Sequence, residues 1–160
     1  TALVFLHADS QLPAGFASDV RRILALPNTA AGAFTLAIAP DSPAFRVIAA
    51  GANLRAKWLR KPYGDQALFL RRDIFSLAGG FAEILIMEDV DFLRRLRRHG
   101  VVRIADAVVR TSGRRWLQQG IVRTTALHQI LLVGYWLGVS PVTLHRWRSC
   151  GQRATASGPD

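Results

Sequence analysis

The chain opens with Thr1-Ala-Leu-Val-Phe-Leu-His7, a nearly continuous apolar run of strand length, and such runs recur between segments with helical spacing. A run that is apolar at every position leaves no face for water, so it reads as a strand buried on both sides, the habit of parallel sheets. Ala33 to Ala39 and Gln66 to Leu70 are further strand candidates, and Val101 to Val109 holds one or two more. From Pro13 to the residue before Pro27, the side chains of Phe16, Val20, Ile23 and Leu24 share one helical face. Pro43 opens a long helix carrying Phe45, Ile48, Ala49, Ala52 and Ala56 towards Trp58, and Lys61-Pro-Tyr-Gly64 breaks it. Arg71 to Gly80 predicts a short helix stopped by paired glycines.

Glu88 to His99 has the clearest helical signature. Ile86, Val90, Leu93 and Leu96 form its buried stripe, acids occupy the first turn, arginines the last, and Gly100 stops it. Trp116 to Leu137 is mainly helical in pattern, and Pro141 to Trp147 adds a last turn or two. Strands alternating with helices predict an α/β domain with a mainly parallel sheet flanked by helices, whose ligands gather beyond the carboxyl ends of the strands.

At 160 residues, half of them hydrophobic, the chain fits one domain, expected over residues 1–148 with a flexible polar tail over 149–160. A single cysteine, Cys150, excludes an intrachain disulfide and a thiolate zinc site, so a reducing cytoplasm is the expected compartment. The longest apolar stretch, Ile130 to Val139, is about half of the roughly 20 residues a membrane-crossing helix needs. Ile130 to Leu137 reads first as a buried helix. The second reading is a helix lying in the inner face of a bilayer, with Tyr135, Trp136 and Trp147 at headgroup level and Arg123, Arg146 and Arg148 meeting anionic lipid. The formal net charge is +10, and 19 of the 21 basic residues are arginine, suited to bidentate contact with phosphate or carboxylate.

Four groups of residues can carry chemistry. His7-Ala8-Asp9 ends a strand, where a carboxylate can reach a hard divalent cation; taken alone, Asp9 or Ser10 reads more readily as a cap or turn residue. Met87-Glu88-Asp89-Val90-Asp91 sets acids at a helix start, suited to a general base, although an ordinary solvated helix has the same look. Arg114-Arg115-Trp116 after a strand suits a diphosphate leaving group, while isolated arginine pairs usually face water. Tyr63-Gly-Asp-Gln66 is a turn whose Asp65 and Gln66 can contact an acceptor hydroxyl, or need only satisfy the turn.

Taken in order, Leu-His-Ala-Asp-Ser-Gln-Leu-Pro (6–13), Gly-Asp-Gln-Ala-Leu-Phe-Leu-Arg-Arg-Asp-Ile-Phe (64–75), Gly-Gly-Phe (79–81), Met-Glu-Asp-Val-Asp (87–91) and Thr-Ser-Gly-Arg-Arg-Trp (111–116) resemble family 2 glycosyltransferases. The nearest subgroup is the short bacterial one found beside radical-SAM and selenium-related genes, and the resemblance runs from residue 1 to about 148. It implies a GT-A fold, related to the Rossmann type, and inverting transfer of a sugar from a nucleotide-sugar donor to an acceptor hydroxyl, which a lipid can carry. By the same resemblance Asp9, with His7, is the metal-binding position for Mg²⁺ or Mn²⁺. Asp89 is the catalytic base supported by Glu88, and Arg114, Arg115 and Trp116 lie near the diphosphate. Asp65 and Gln66 line the sugar or acceptor pocket.

Two departures stand out. His7 replaces the first acid of the DxD-type motif, and the chain starts at the strand leading into Asp9, so the nucleotide-binding part is expected upstream and the piece alone is expected to be inactive. Two other classes compete, a basic nucleic-acid-binding module and a non-catalytic scaffold. The first predicts binding that weakens steeply with salt and ignores Asp9 and Asp89, whereas donor binding needs a divalent cation. No helix-turn-helix, zinc-finger or RNP-like pattern supports nucleic acid as a partner.

Overall fold

The computed structural model describes residues 1–153, which form a mixed α/β protein. Five strands, β1 (Ala2–Val4), β2 (Ser10–Gln11), β3 (Thr29–Ala39), β4 (Phe69–Arg71) and β5 (Val101–Ser112), make one sheet in the order β1-β4-β3-β5-β2. The helices are α1 (Phe16–Leu24), α2 (Pro43–Leu59), α3 (Arg72–Leu77), α4 (Glu88–Leu96), α5 (Arg114–Gln119), α6 (Ile121–Trp136) and α7 (Pro141–Arg153). They divide into two compact units, one of Thr1–Ala82 with Asp89–Ser112, the other of Glu83–Glu88 with the segment from Gly113 onward.

The sheet belongs to the first unit and is mixed, which corrects the expectation of a mainly parallel one. Only β3 and β5 run parallel; β1 with β4, β4 with β3 and β2 with β5 are antiparallel. The opening apolar run is likewise an edge strand and not one buried on both faces: β1 pairs only with β4, and Ala2 is exposed. Its apolar character has another cause. Phe5 extends the pairing through its N–H to the Leu68 carbonyl (2.8 Å) and sends its ring into an aromatic cluster with Phe75, Phe81 and Phe92.

β3 is the buried centre of the sheet and begins at Thr29, four residues before the strand predicted from hydrophobicity. After Thr29, the early part Ala30-Ala-Gly32 lacks the β-branched and aromatic residues that mark strands, because small residues are needed there. A Cβ on Gly32 would stand 2.2 Å from the Phe69 ring, which lies directly over that backbone. α2 starts as the sequence predicts, with Pro43 in its first turn and the Ser42 hydroxyl accepting from Phe45 N–H (3.3 Å). α4 closes the other part of the core with Phe92, Leu93 and Leu96 against Leu68, Leu70 and Val102. Arg95 ties α4 to the end of α3, bonding Asp91 (2.9 Å), the Gly80 carbonyl (2.7 Å) and the Ala78 carbonyl.

In the second unit the segment read as mainly helical over Trp116–Leu137 holds two helices, separated at Gly120, whose φ of 87° suits a residue without Cβ. α6 and α7 pack closely: a Cβ on Gly134 would lie 2.9 Å from the Leu144 side chain. α7 continues to Arg153, so the first five residues of the expected tail, 149–153, are helical; residues 154–160 lie outside the described residues. The buried reading of Ile130–Leu137 is also corrected. Leu131 and Gly134 are enclosed, but Ile130, Val133, Trp136 and Leu137 are exposed. Among the described residues no helix is long and apolar enough to cross a membrane.

Candidate functional site

Residues 6–9 link two distant parts of the sheet. Phe5 is bonded to Leu68 beside β4, while the Asp9 carbonyl accepts from Ser112 N–H at the end of β5 (3.1 Å) and the Ser10 hydroxyl donates to Thr111 Oγ1 (2.9 Å). A turn closed by Ser10 N–H on the His7 carbonyl (3.0 Å) leaves the His7 and Asp9 side chains exposed. The turn is closed by backbone alone: the Ser10 hydroxyl goes to Thr111, and Gly15 stands at the α1 N-cap with no side-chain cap hydrogen bond.

His7 points into the cluster that the structure builds. A Cβ on Gly64 would lie 2.5 Å from His7 Nε2 and 3.2 Å from Asp89 Oδ2, so all three meet at one point, where any larger residue would displace the His7 ring. Asp89, at the start of α4, is held from two sides: Oδ2 accepts from Gly64 N–H (2.7 Å) and Oδ1 from Val90 N–H (2.8 Å). Both oxygens keep lone pairs beyond these bonds. Met87, two residues earlier, adopts φ 68°, a conformation unusual for a long side chain and of the kind that collects around functional groups.

Asp65 completes the cluster from the short 3-10 turn Gly64–Gln66. Although the residue as a whole is half-buried, its Oδ1 is enclosed and has no hydrogen-bond partner. Burial pushes its carboxyl well above the usual carboxylate range; the Arg55 guanidinium opposes this, the charge of Asp89 adds to it, and His7 lowers it slightly. Arg55 is itself anchored, lying 4.1 Å over the Tyr63 ring and donating to the Lys61 carbonyl (3.2 Å). Neither Arg55 nor the Gly64 N–H was anticipated from sequence. Arg55 sits inside a helix whose pattern marks it as one more solvent-facing residue, and backbone donors carry no letter.

Gln66 is fully buried. Its amide donates to the Phe34 carbonyl (3.1 Å) and to Asn53 Oδ1 (3.3 Å), and Asn53 in turn bonds both backbone groups of Leu36 (2.8 and 2.9 Å). This chain of bonds braces α2 on β3, and the Gln66 Oε1 is left enclosed without a partner. Glu88 is exposed at the first position of α4 and belongs to the second unit.

Arg114, Arg115 and Trp116 also belong to the second unit, following β5 directly in the chain. Both arginines are exposed. Trp116 donates from Nε1 to Thr125 Oγ1 (3.2 Å) and meets the His128 ring edge-on at 5.5 Å, joining α5 to α6. Burial lowers the His128 pKa, and the charges of Arg115 and Arg148 lower it further. The first unit thus brings His7, Gly64, Asp65 and Asp89 together.

Among the described residues no three His, Cys, Asp or Glu side chains converge as a metal cage. An exposed carboxylate such as Asp9 still fits a hard cation of the Mg²⁺ type, which retains waters and takes one or two carboxylates plus substrate phosphates. No family model, curated protein or solved structure matches the chain.

Proposed function

We propose that the chain is part of an inverting glycosyltransferase of the GT-A type, acting on a nucleotide-sugar donor and an acceptor hydroxyl. The observation that carries this reading is Asp89, oriented by the Gly64 N–H beside Asp65, whose Oδ1 is enclosed without a hydrogen-bond partner, and the His7 ring. In the reaction the acceptor oxygen forms a bond to the anomeric carbon as the bond to the diphosphate breaks. The electron pair leaves with the diphosphate, and Asp89 takes the acceptor's proton. Asp65, whose raised pKa favours its protonated form, offers a hydrogen bond to a sugar or acceptor hydroxyl. A Mg²⁺ or Mn²⁺ would be held by Asp9 and would neutralise diphosphate charge.

The test is release of nucleoside diphosphate from nucleotide sugars by the full natural polypeptide with Mn²⁺. Asp89→Asn should abolish turnover while donor binding persists; unchanged turnover in that variant refutes the base assignment.

A further inference from the structure

The second unit carries an apolar stripe that the glycosyl-transfer reading does not use. At 100° per residue, Val122, Ala126, Ile130 and Val133 fall within one narrow sector of α6, Leu137 follows at its C-cap, and Trp136 flanks it. All are exposed, Val122 by 83%, Ile130 by 54%, Val133 by 55% and Leu137 by 79%. The opposite side, with Thr124, Leu131 and Gly134, is the buried one. A stripe running the length of a 16-residue helix differs from scattered surface hydrophobics, and marks an interaction surface.

Charge identifies the occupant. Residues 113–159 contain six arginines (114, 115, 123, 146, 148 and 153) and no aspartate or glutamate. Arg123 stands at the edge of the stripe, where its guanidinium reaches the Gly151 carbonyl (2.6 Å), and Arg146 is exposed on α7 next to the partly exposed Trp147. An apolar helix face in a segment, 113–159, whose only Asp, Glu, Lys or Arg residues are arginines matches the acyl boundary and headgroups of an anionic bilayer; Glu83 and Glu88 lie in the unit's other segment. A second copy would bring the same arginines against themselves, and a nucleic acid would leave the apolar stripe unused.

We infer that α6 lies in the surface of anionic membranes, with its Val122–Leu137 stripe among the upper acyl chains and the surrounding arginines on lipid phosphates. This does not depend on the glycosyl-transfer reading. The intact protein should float with phosphatidylcholine vesicles containing phosphatidylglycerol at least about ten-fold more strongly than with phosphatidylcholine alone, and high salt should weaken it. Ile130→Glu with Val133→Glu changes two exposed positions and should reduce flotation about ten-fold or more at unchanged helix content by circular dichroism. Val47→Glu, at an exposed site on α2, adds a charge elsewhere and should leave flotation within about two-fold. Equal binding to both vesicle types overturns the inference, as does equal loss in the Val47 variant. So does absence of flotation in a protein whose self-association or nucleic-acid binding the α6 variant abolishes.

Discussion

Gly64 is the residue on which the candidate site turns, because it serves two purposes with one backbone position. Its N–H holds Asp89, and its missing Cβ makes room for His7 Nε2. Gly64→Ala keeps the donor but places a methyl 2.5 Å from the imidazole nitrogen, forcing the His7 ring aside. Because misplacement of about an ångström at a reacting centre can cost about a hundred-fold, turnover should fall by roughly that factor in a protein that still folds. Wild-type nucleotide-sugar turnover in a folded Gly64→Ala protein would remove the cluster from the mechanism. Of its members, His7, Asp65 and Asp89 were legible in the sequence as polar residues at the ends of patterned segments. Their meeting was not, since it rests on the Gly64 N–H to Asp89 bond and on the close approach of His7 to Gly64, contacts between distant residues that no local pattern records. Gln66 illustrates the converse: a polar residue in a turn, readable as substrate-facing, is a core brace because Phe34 and Asn53 happen to stand within reach.

Among the elements, α2 was readable nearly end to end, since a proline marks its start and an apolar stripe its buried face, whereas α4 starts at Glu88 as read but stops at Leu96, three residues short of the His99 end that the sequence suggested. Strands fared less well. β3 was shortened at its alanine- and glycine-rich start, and β5 runs as a single strand through Ser112 with a register shift opposite Phe34 and Thr35, where the sequence suggested one or two shorter pieces. The join between α3 and α4 depends on Arg95, whose charge looked like ordinary helix-end decoration. Arg95→Ala would leave the Ala78 and Gly80 carbonyls and the Asp91 carboxylate without this donor. A loss of about 2–3 kcal/mol in chemical denaturation is expected, as for hydrogen bonds to a charged group. A change below the error of the measurement would show that water replaces the guanidinium at no cost.

For the molecule as a whole, two buried titratable groups shape stability against pH in opposite senses. Asp65 has a raised pKa in the folded state, so its contribution is full at acid pH and is lost as pH climbs through the raised value. His128 has a lowered one, so its contribution is full above the usual imidazole range and is lost as pH falls through the lowered value. Thermal midpoints measured across this interval should lose the alkaline decline in Asp65→Asn and the acid decline in His128→Gln. Parallel curves for wild type and either variant would show that the group is not enclosed as described. The two effects belong to different units, Asp65 to the first and His128 to the second.

Local order was written in the chain: that helical segments alternate with strands, where α2 and α4 begin, that no intrachain disulfide can form, and that the charge is strongly positive. These follow from near neighbours in sequence, through side-chain periodicity, capping and composition. Strand direction, the edge position of β1, the exposure of α6 and the gathering of His7, Gly64, Asp65 and Asp89 were settled only by folding. An apolar run has the same composition whichever way its neighbour runs. An apolar helix is buried only if another surface arrives to cover it, and both outcomes depend on contacts between residues far apart along the chain.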